Sequence, residues 1–228
     1  MKLNAQPFVF ALTATTFIGL PLLLYVQGEA PVRSWLKEGL SVLTILAFTL
    51  MLMQYFLARS NETLLRLFKG PSVQKVHKYI AYSAISILAL HPFLIVLPRY
   101  FEAGIKPWDA FWIMVTNVNS LGVVLGLIAW AAMISLGITA YARTNMMRRF
   151  KNRYRGWRAF HAFLAVSFTV VAIWHAIELG RHTDLAMSSF FLVIATLGVG
   201  MLAGLYRPER TRKSPPAPLD TTFPQGAK

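Results

Sequence analysis

Apolar runs long enough to cross a membrane are the feature that most restricts the fold of this chain. A run of about 20 apolar residues spans the roughly 30 Å hydrocarbon core of a bilayer as an α-helix. Six such runs occur among the 228 residues, of which 56% are hydrophobic and 14% charged. They lie near Phe8–Val26, Trp35–Leu57, Lys75–Leu97, Asn119–Tyr141, Arg158–Leu179 and Leu185–Tyr206. The sequence therefore predicts an all-α integral membrane bundle of six transmembrane helices, with residues 1–206 forming one membrane domain.

Basic residues between the runs predict the orientation of the bundle. The N-terminus, the second and fourth loops and the C-terminal segment hold 18 of the 23 lysines and arginines. The positive-inside rule then places both termini in the cytoplasm. The net charge of +14 follows from this topology and from contact with anionic lipid headgroups, so we expect no nucleic acid partner. Residues 207–228, rich in proline and charge, are expected to form a disordered cytoplasmic tail.

The first apolar run has to be distinguished from a secretory signal peptide. It is longer than the 7–15 apolar residues usual in a secretory signal peptide, and no clear cleavage site follows it. We therefore expect it to remain as a helix. The six runs together predict a multi-pass protein of a bacterial inner (plasma) membrane.

The absence of cysteine limits the cofactors that the chain can bind. It excludes cysteine-ligated iron–sulfur clusters and covalent haem attachment, so any haem must be held non-covalently. Any other metal would need histidine, methionine or carboxylate ligands. No G-x-G-x-x-G motif follows a predicted strand and no P-loop is present, so no nucleotide-binding domain is predicted.

Four of the five histidines lie in apolar runs, two in the third run and two in the fifth. His77 and His91 are fourteen residues apart, and so are His161 and His175. Fourteen residues of α-helix make about 3.9 turns and rise about 21 Å, so each pair lies on one helix face. Both runs cross the membrane in the same direction. His77 is therefore expected at the depth of His161, and His91 at the depth of His175.

Two facing histidine pairs suit the axial ligation of two haems. The predicted inner pair is His77 with His161 and the predicted outer pair is His91 with His175, with one b-type haem between the members of each pair. Helix rise puts the two layers about 20 Å apart, too far for one tetrahedral metal site to use all four side chains. The alternatives are structural hydrogen bonding between helices, and a proton relay in a transporter.

Three further side chains are candidates for the same site. Phe168 lies seven residues from both His161 and His175, which places it between the two layers, either near the cofactors or in ordinary packing. Arg158 and Lys78 lie at the inner end, where a cation can bind a haem propionate. Flanking cations also occur on most membrane helices for reasons of topology.

Other residues close to the histidines are expected to shape the local packing. Pro92 directly follows His91 and tends to kink a helix. Gly122 and Gly126 form a G-x-x-x-G pattern, which permits the close approach of a helix or of a porphyrin face. His182, in an outer loop, is expected to be a surface residue or a propionate contact.

Taken together, the segments VHKYIAYSAISILALHP and RAFHAFLAVSFTVVAIWH resemble the ferric reductase-like transmembrane domain family. The segment MLMQYFLARSNETLLRLFKG resembles it as well, and the likeness extends over about residues 35–206. The family includes ferric reductases, the membrane half of NADPH oxidases and the haem-binding subunit of methionine sulfoxide reductase. The resemblance implies that the four histidines ligate two b-type haems, which carry electrons from the cytoplasmic side outward.

The resemblance also implies the partners. Many members continue into FAD- and NAD(P)H-binding domains, whereas this sequence ends in a proline-rich segment. The expected donor is therefore a separate flavoprotein reductase or quinol, and the expected acceptor is a protein, ferric chelate or oxygen on the outer face. Iron held by two histidines has no open position, so no catalytic side chain is predicted. The alternative function is a membrane transporter or proton-relay protein that uses the intramembrane histidines.

Overall fold

The structure is a computed structural model that describes residues 5–143 and 154–206, almost all of them helical. Its six long apolar helices are α1 (Ala5–Gln27), α2 (Trp35–Met53), α4 (Gly70–Ala103), α6 (Leu121–Tyr141), α7 (Tyr154–Leu179) and α8 (Leu185–Tyr206). Two shorter helices, α3 (Glu62–Leu67) and α5 (Pro107–Val115), lie between them. The prediction of a six-helix membrane bundle is thus confirmed. The predicted tail, residues 207–228, lies outside the described residues.

The helix that carries the first two histidines is longer than its apolar run. Helix α4 has 34 residues, about 51 Å at 1.5 Å per residue, so its ends extend beyond a 30 Å hydrocarbon core. It continues through Pro92 and Pro98, because the remaining backbone hydrogen bonds of a long helix persist around a proline. It ends at Gly104, whose φ of 65° is in the left-handed region that favours glycine.

Helix α5 was not predicted, because its nine residues are too few for a membrane span. It begins with Pro107, a residue preorganised for the first turn of a helix. Phe111 of this helix stacks on Phe93 of α4, with ring centroids 4.5 Å apart. The aromatic contact fixes α5 against the outer half of α4.

Apolar side chains fill the inside of the bundle and also cover its outside. The fully buried ones include Leu52, Met133 and Phe191, which come from three different long helices. Large apolar side chains such as Phe163 and Leu185 are exposed. An outer surface of this kind suits contact with lipid chains, in agreement with an integral membrane protein.

The packing between helices separates α4 from α7, the two helices that carry the histidines. Helix α2 packs closely on α4, and α6 packs closely on α7. Over the described residues, the backbones of α4 and α7 make little close contact with each other. Trp130 of α6 donates a 3.0 Å hydrogen bond to the carbonyl of Ala89 in α4. Helices α4 and α7 are thus held mainly by α2 and α6 and not by direct contact with each other.

Candidate cofactor site

The outer layer brings the rings of His91 and His175 close together in an edge-to-face arrangement. Their ring centroids are 6.5 Å apart and their planes cross at 84°. A metal that binds two imidazoles on opposite sides, with bonds of about 2 Å, places the ring centroids roughly 6 Å apart. The observed spacing therefore leaves room for one metal ion between the two rings.

Hydrogen bonds assign the protons of both outer histidines. The Nδ1 atom of His175 lies 2.7 Å from the carbonyl oxygen of Gly122, and a carbonyl can only accept, so Nδ1 carries the proton. The Nδ1 atom of His91 lies 3.2 Å from the hydroxyl of Thr44. That hydroxyl also lies 2.8 Å from the carbonyl of Leu40, and both contacts are satisfied together when it donates to Leu40 and accepts from a protonated Nδ1 of His91. Both Nε2 atoms keep their lone pairs, which is the form of histidine that ligates a metal.

The two glycines of the G-x-x-x-G pattern allow α7 to approach α6 at the outer layer. A Cβ added at Gly126 would lie 2.7 Å from Cε1 and 2.8 Å from Nδ1 of His175. A Cβ at Gly122 would lie 2.4 Å from Cγ of Leu179. Gly126 therefore provides the space for the ring of His175, and Gly122 provides both a hydrogen-bond acceptor and room for the next turn.

The inner layer consists of His77 on α4 and His161 on α7. The Nδ1 atom of each ring is buried and has no hydrogen-bond partner among the described residues. The ring of His161 stacks on Trp157, with centroids 5.1 Å apart, and Trp157 donates a 3.1 Å hydrogen bond to the carbonyl of Thr139. Within the described residues, therefore, no hydrogen bond through Nδ1 fixes the tautomer of either inner histidine.

Other buried side-chain atoms also lack hydrogen-bond partners within the described part of the chain. They are Oε1 of Gln54, Oγ of Ser60, Nε of Arg158 and both ring nitrogens of His182. Gln54 and Ser60 belong to the connection that follows α2, and Arg158 lies one turn before His161. The donors and acceptors present here fit a haem that carries propionates.

The three other predicted site residues, Phe168, Lys78 and Arg158, differ from one another in burial and in contacts. Phe168 is buried in the core, and its ring centroid lies 6.2 Å from that of Phe48. Lys78 is exposed, with its ammonium 5.6 Å from the ring centroid of Tyr82. Arg158 lies over the ring of Tyr154 at 5.6 Å and is largely covered. Of the two predicted cations, Arg158 is thus the better placed to meet a buried ligand.

A polar network that sequence reasoning did not find connects the C-terminal end of α1 and the N-terminal end of α2 with the loop after α7. The hydroxyl of Tyr25 donates to Glu38, and Nε of Arg33 donates to Glu38 at 3.0 Å. Nε2 of His182 lies 3.2 Å from the same carboxylate, and its ring stacks on Tyr25 at 4.4 Å. Burial lowers the pKa of His182, and the Glu38 carboxylate opposes that shift. His182 is therefore largely covered and neutral near pH 7, not a surface residue.

A buried pair of hydroxyl side chains was also not predicted from the sequence. The hydroxyls of Tyr55 and Thr169 are 2.8 Å apart and join the connection after α2 to the middle of α7. The only sequence signal for this pair is a hydroxyl residue within each apolar run.

The donor set limits the kind of metal group that could bind. Within residues 5–143 and 154–206, no cluster of three or more histidine, aspartate, glutamate or cysteine side chains could hold a metal ion. Each layer offers two imidazoles instead. Two opposed protein ligands suit a metal whose remaining positions are filled by a macrocycle, as in haem.

Fold and site together define a multi-pass membrane protein that carries two histidine pairs within its helices. The family model described as "Ferric reductase like transmembrane component" matches residues 43–172. The chain belongs to this family. The match includes His77, His91 and His161, and it ends three residues before His175.

Individual proteins and solved structures provide a second comparison for this chain. An uncharacterized protein of Archaeoglobus fulgidus is 42% identical over 160 residues, which cover 68% of this chain and 82% of that protein. No solved structure matches the chain. Family membership supports a role as a membrane electron-transfer component.

Proposed function

We propose that this protein is a dihaem b membrane component that carries electrons between the two faces of a plasma membrane. The observation that carries the proposal is the outer histidine pair. The rings of His91 and His175 lie 6.5 Å apart, and both Nδ1 atoms are engaged by hydrogen-bond acceptors. This arrangement leaves two Nε2 lone pairs for one metal.

The residues that would hold the cofactors are the four helical histidines. His91 and His175 would bind the outer haem, and His77 and His161 would bind the inner one. When bound, each haem supplies a one-electron carrier whose iron has no free position for a substrate. The chain would orient the rings and surround the cofactors with apolar side chains. Phe168, which is buried and lies seven residues from both His161 and His175, would fill space between the two layers.

Basic residues support the direction and the partners within this proposal. The loops and termini that hold 18 of the 23 lysines and arginines would lie in the cytoplasm. Electrons would then enter at the His77 layer from a flavoprotein or a quinol. They would leave at the His91 layer to a protein, a ferric chelate or oxygen. Arg158 would bind a propionate at the inner layer, and the exposed Lys78 would lie near its rim.

The proton-relay alternative is less well supported by the contacts of the outer layer. A relay needs groups that both accept and donate protons in sequence. The Nδ1 proton of His175 ends on a backbone carbonyl, which passes no proton onward. Two of the four histidines are thus held in fixed tautomers, as a metal ligand requires.

Haem quantitation of single histidine variants tests the proposed function. The protein is expressed with ample haem, purified in detergent and assayed for haem per chain and for its reduced spectrum. The wild type is expected to bind about two low-spin b haems, and His77→Ala or His91→Ala about one. Phe163→Ala, an exposed substitution on the helix that carries His161 and His175, serves as the matched control and should keep two.

Two results would contradict the proposal. One is a wild-type protein that stays colourless although it elutes as a single folded species in size-exclusion chromatography. The other is full haem content in all four variants His77→Ala, His91→Ala, His161→Ala and His175→Ala.

A further inference from the structure

The polar surroundings of the two histidine layers differ. In the outer layer, the Nδ1 atoms of His91 and His175 both have acceptors, Thr44 at 3.2 Å and Gly122 at 2.7 Å. In the inner layer, the corresponding atoms of His77 and His161 have no partner among the described residues. The acceptors come from α2 and α6, the helices that pack closely on α4 and α7.

The hydroxyl of Thr44 lies between two hydrogen-bond partners, the carbonyl of Leu40 and Nδ1 of His91. Its hydroxyl proton is directed to the carbonyl of Leu40, four residues earlier on α2, at 2.8 Å. With its proton on Leu40, the oxygen acts as an acceptor toward a protonated Nδ1 of His91. An accepted hydrogen bond fixes the tautomer and orientation of a ligand imidazole and raises the basicity of its other nitrogen.

We propose that Thr44 is a positioning residue for the outer metal site, where it orients His91 and lowers the reduction potential of the group bound there. This inference rests on the proposed function. A more basic Nε2 stabilises the oxidised, more positive iron relative to the reduced iron. The outer potential is therefore held below the value that His91 alone would give. Thr44 does not contact the cofactor and acts through His91.

A redox titration of Thr44 variants in the full-length protein tests this role. Thr44→Val keeps the shape of the side chain and removes the acceptor. One of the two midpoint potentials should move to a more positive value while the other stays unchanged, and haem affinity at the shifted site should fall roughly tenfold. Thr44→Ser should restore both, because it keeps the hydroxyl.

Two further variants make the test specific. Thr49→Val is the matched control, because Thr49 is buried on the same helix and its hydroxyl contacts the Phe17 carbonyl at 3.0 Å instead of a histidine. It should leave both potentials unchanged. Thr44→Cys retains a weaker acceptor and should give a smaller shift in the same direction, which provides a second measurement if Thr44→Val does not fold.

The results separate this inference from the proposed function. Two haems per chain with unchanged potentials in Thr44→Val or Thr44→Cys would overturn the role of Thr44 alone. Equal shifts in Thr44→Val and Thr49→Val would overturn it as well, because the effect would then be one of general packing. A wild-type protein without haem would instead refute the proposed function.

Discussion

Replacement of Gly126 by alanine should release haem from the outer layer and leave the inner layer occupied. The added Cβ would lie 2.7 Å from Cε1, 2.8 Å from Nδ1 and 3.3 Å from Nε2 of His175. Ordinary van der Waals contact begins at 3.4 Å. The first distance falls 0.7 Å short of that limit, so the imidazole has to move.

The ring has little freedom to move. A helical side chain occupies a few staggered rotamers, and a departure of about 30° costs of order 0.5–1.5 kcal/mol. A displacement also breaks the 2.7 Å hydrogen bond between Nδ1 and the Gly122 carbonyl. Loss of such a supporting contact lowers metal affinity by roughly 10–100-fold, and the extra methyl in a packed site costs about 1–3 kcal/mol.

The assay measures haem per chain and the thermal unfolding midpoint in detergent. Haem content should fall from about two to about one, and the unfolding midpoint should fall with it. Gly137→Ala is the matched control on the same helix, because its Cβ would lie 3.6 Å from Cγ2 of Ile85, an ordinary contact. It should keep both haems and the wild-type midpoint.

Gly122→Ala provides a comparison within the same G-x-x-x-G pattern. Its Cβ would lie 2.4 Å from Cγ of Leu179, but the variant retains the backbone carbonyl that binds His175. We expect a lower unfolding midpoint with less haem loss than in Gly126→Ala. The reasoning would be refuted if Gly126→Ala kept two haems with unchanged potentials, because the ring of His175 would then be free to move aside.

Two further predictions concern the polar groups that the structure places outside the histidine layers. Tyr55→Phe leaves the buried hydroxyl of Thr169 without its 2.8 Å partner, so the free energy of unfolding should fall by about 1–3 kcal/mol. Denaturation in detergent checks this, and Thr169→Val in the Tyr55→Phe background should recover part of the loss. Burial lowers the pKa of His182 in the folded protein, so the unfolded state binds more protons below its ordinary pKa of about 6.5. The stability from neutral His182 should be present above about pH 6.5 and be lost as the pH falls through the folded pKa, and His182→Gln should flatten thermal unfolding midpoints measured over that range. An equally steep pH dependence in His182→Gln would exclude His182 as the group responsible.

Local features of the sequence were sufficient to predict the number of long helices. Bilayer thickness sets the length of an apolar run, and this length is a property of neighbouring residues. The boundaries were less accurate. Helix α4 (Gly70–Ala103) begins and ends beyond its apolar run, and α5 (Pro107–Val115) was not predicted, because helical turns outside the hydrocarbon need no apolar pattern.

The two-layer hypothesis also came from the sequence, because helix rise converts fourteen residues into a fixed distance along one face. The sequence did not reveal the groups that surround the histidines. Thr44 and His91 are 47 residues apart, and Gly122 and His175 are 53 apart. Contact between them depends on how α2 and α6 pack on α4 and α7.

The sequence by itself thus determined the membrane class, the six helices and the predicted depths of the four histidines. The tertiary structure alone decided which acceptors hold His91 and His175 and that Gly126 makes room for an imidazole. It also decided that His182 is covered by Tyr25 and lies beside Glu38. The physical reason is the separation along the chain of the residues that determine each property. Helix formation and hydropathy depend on neighbours along the chain, whereas tautomers, ring orientation and burial depend on side chains from other helices.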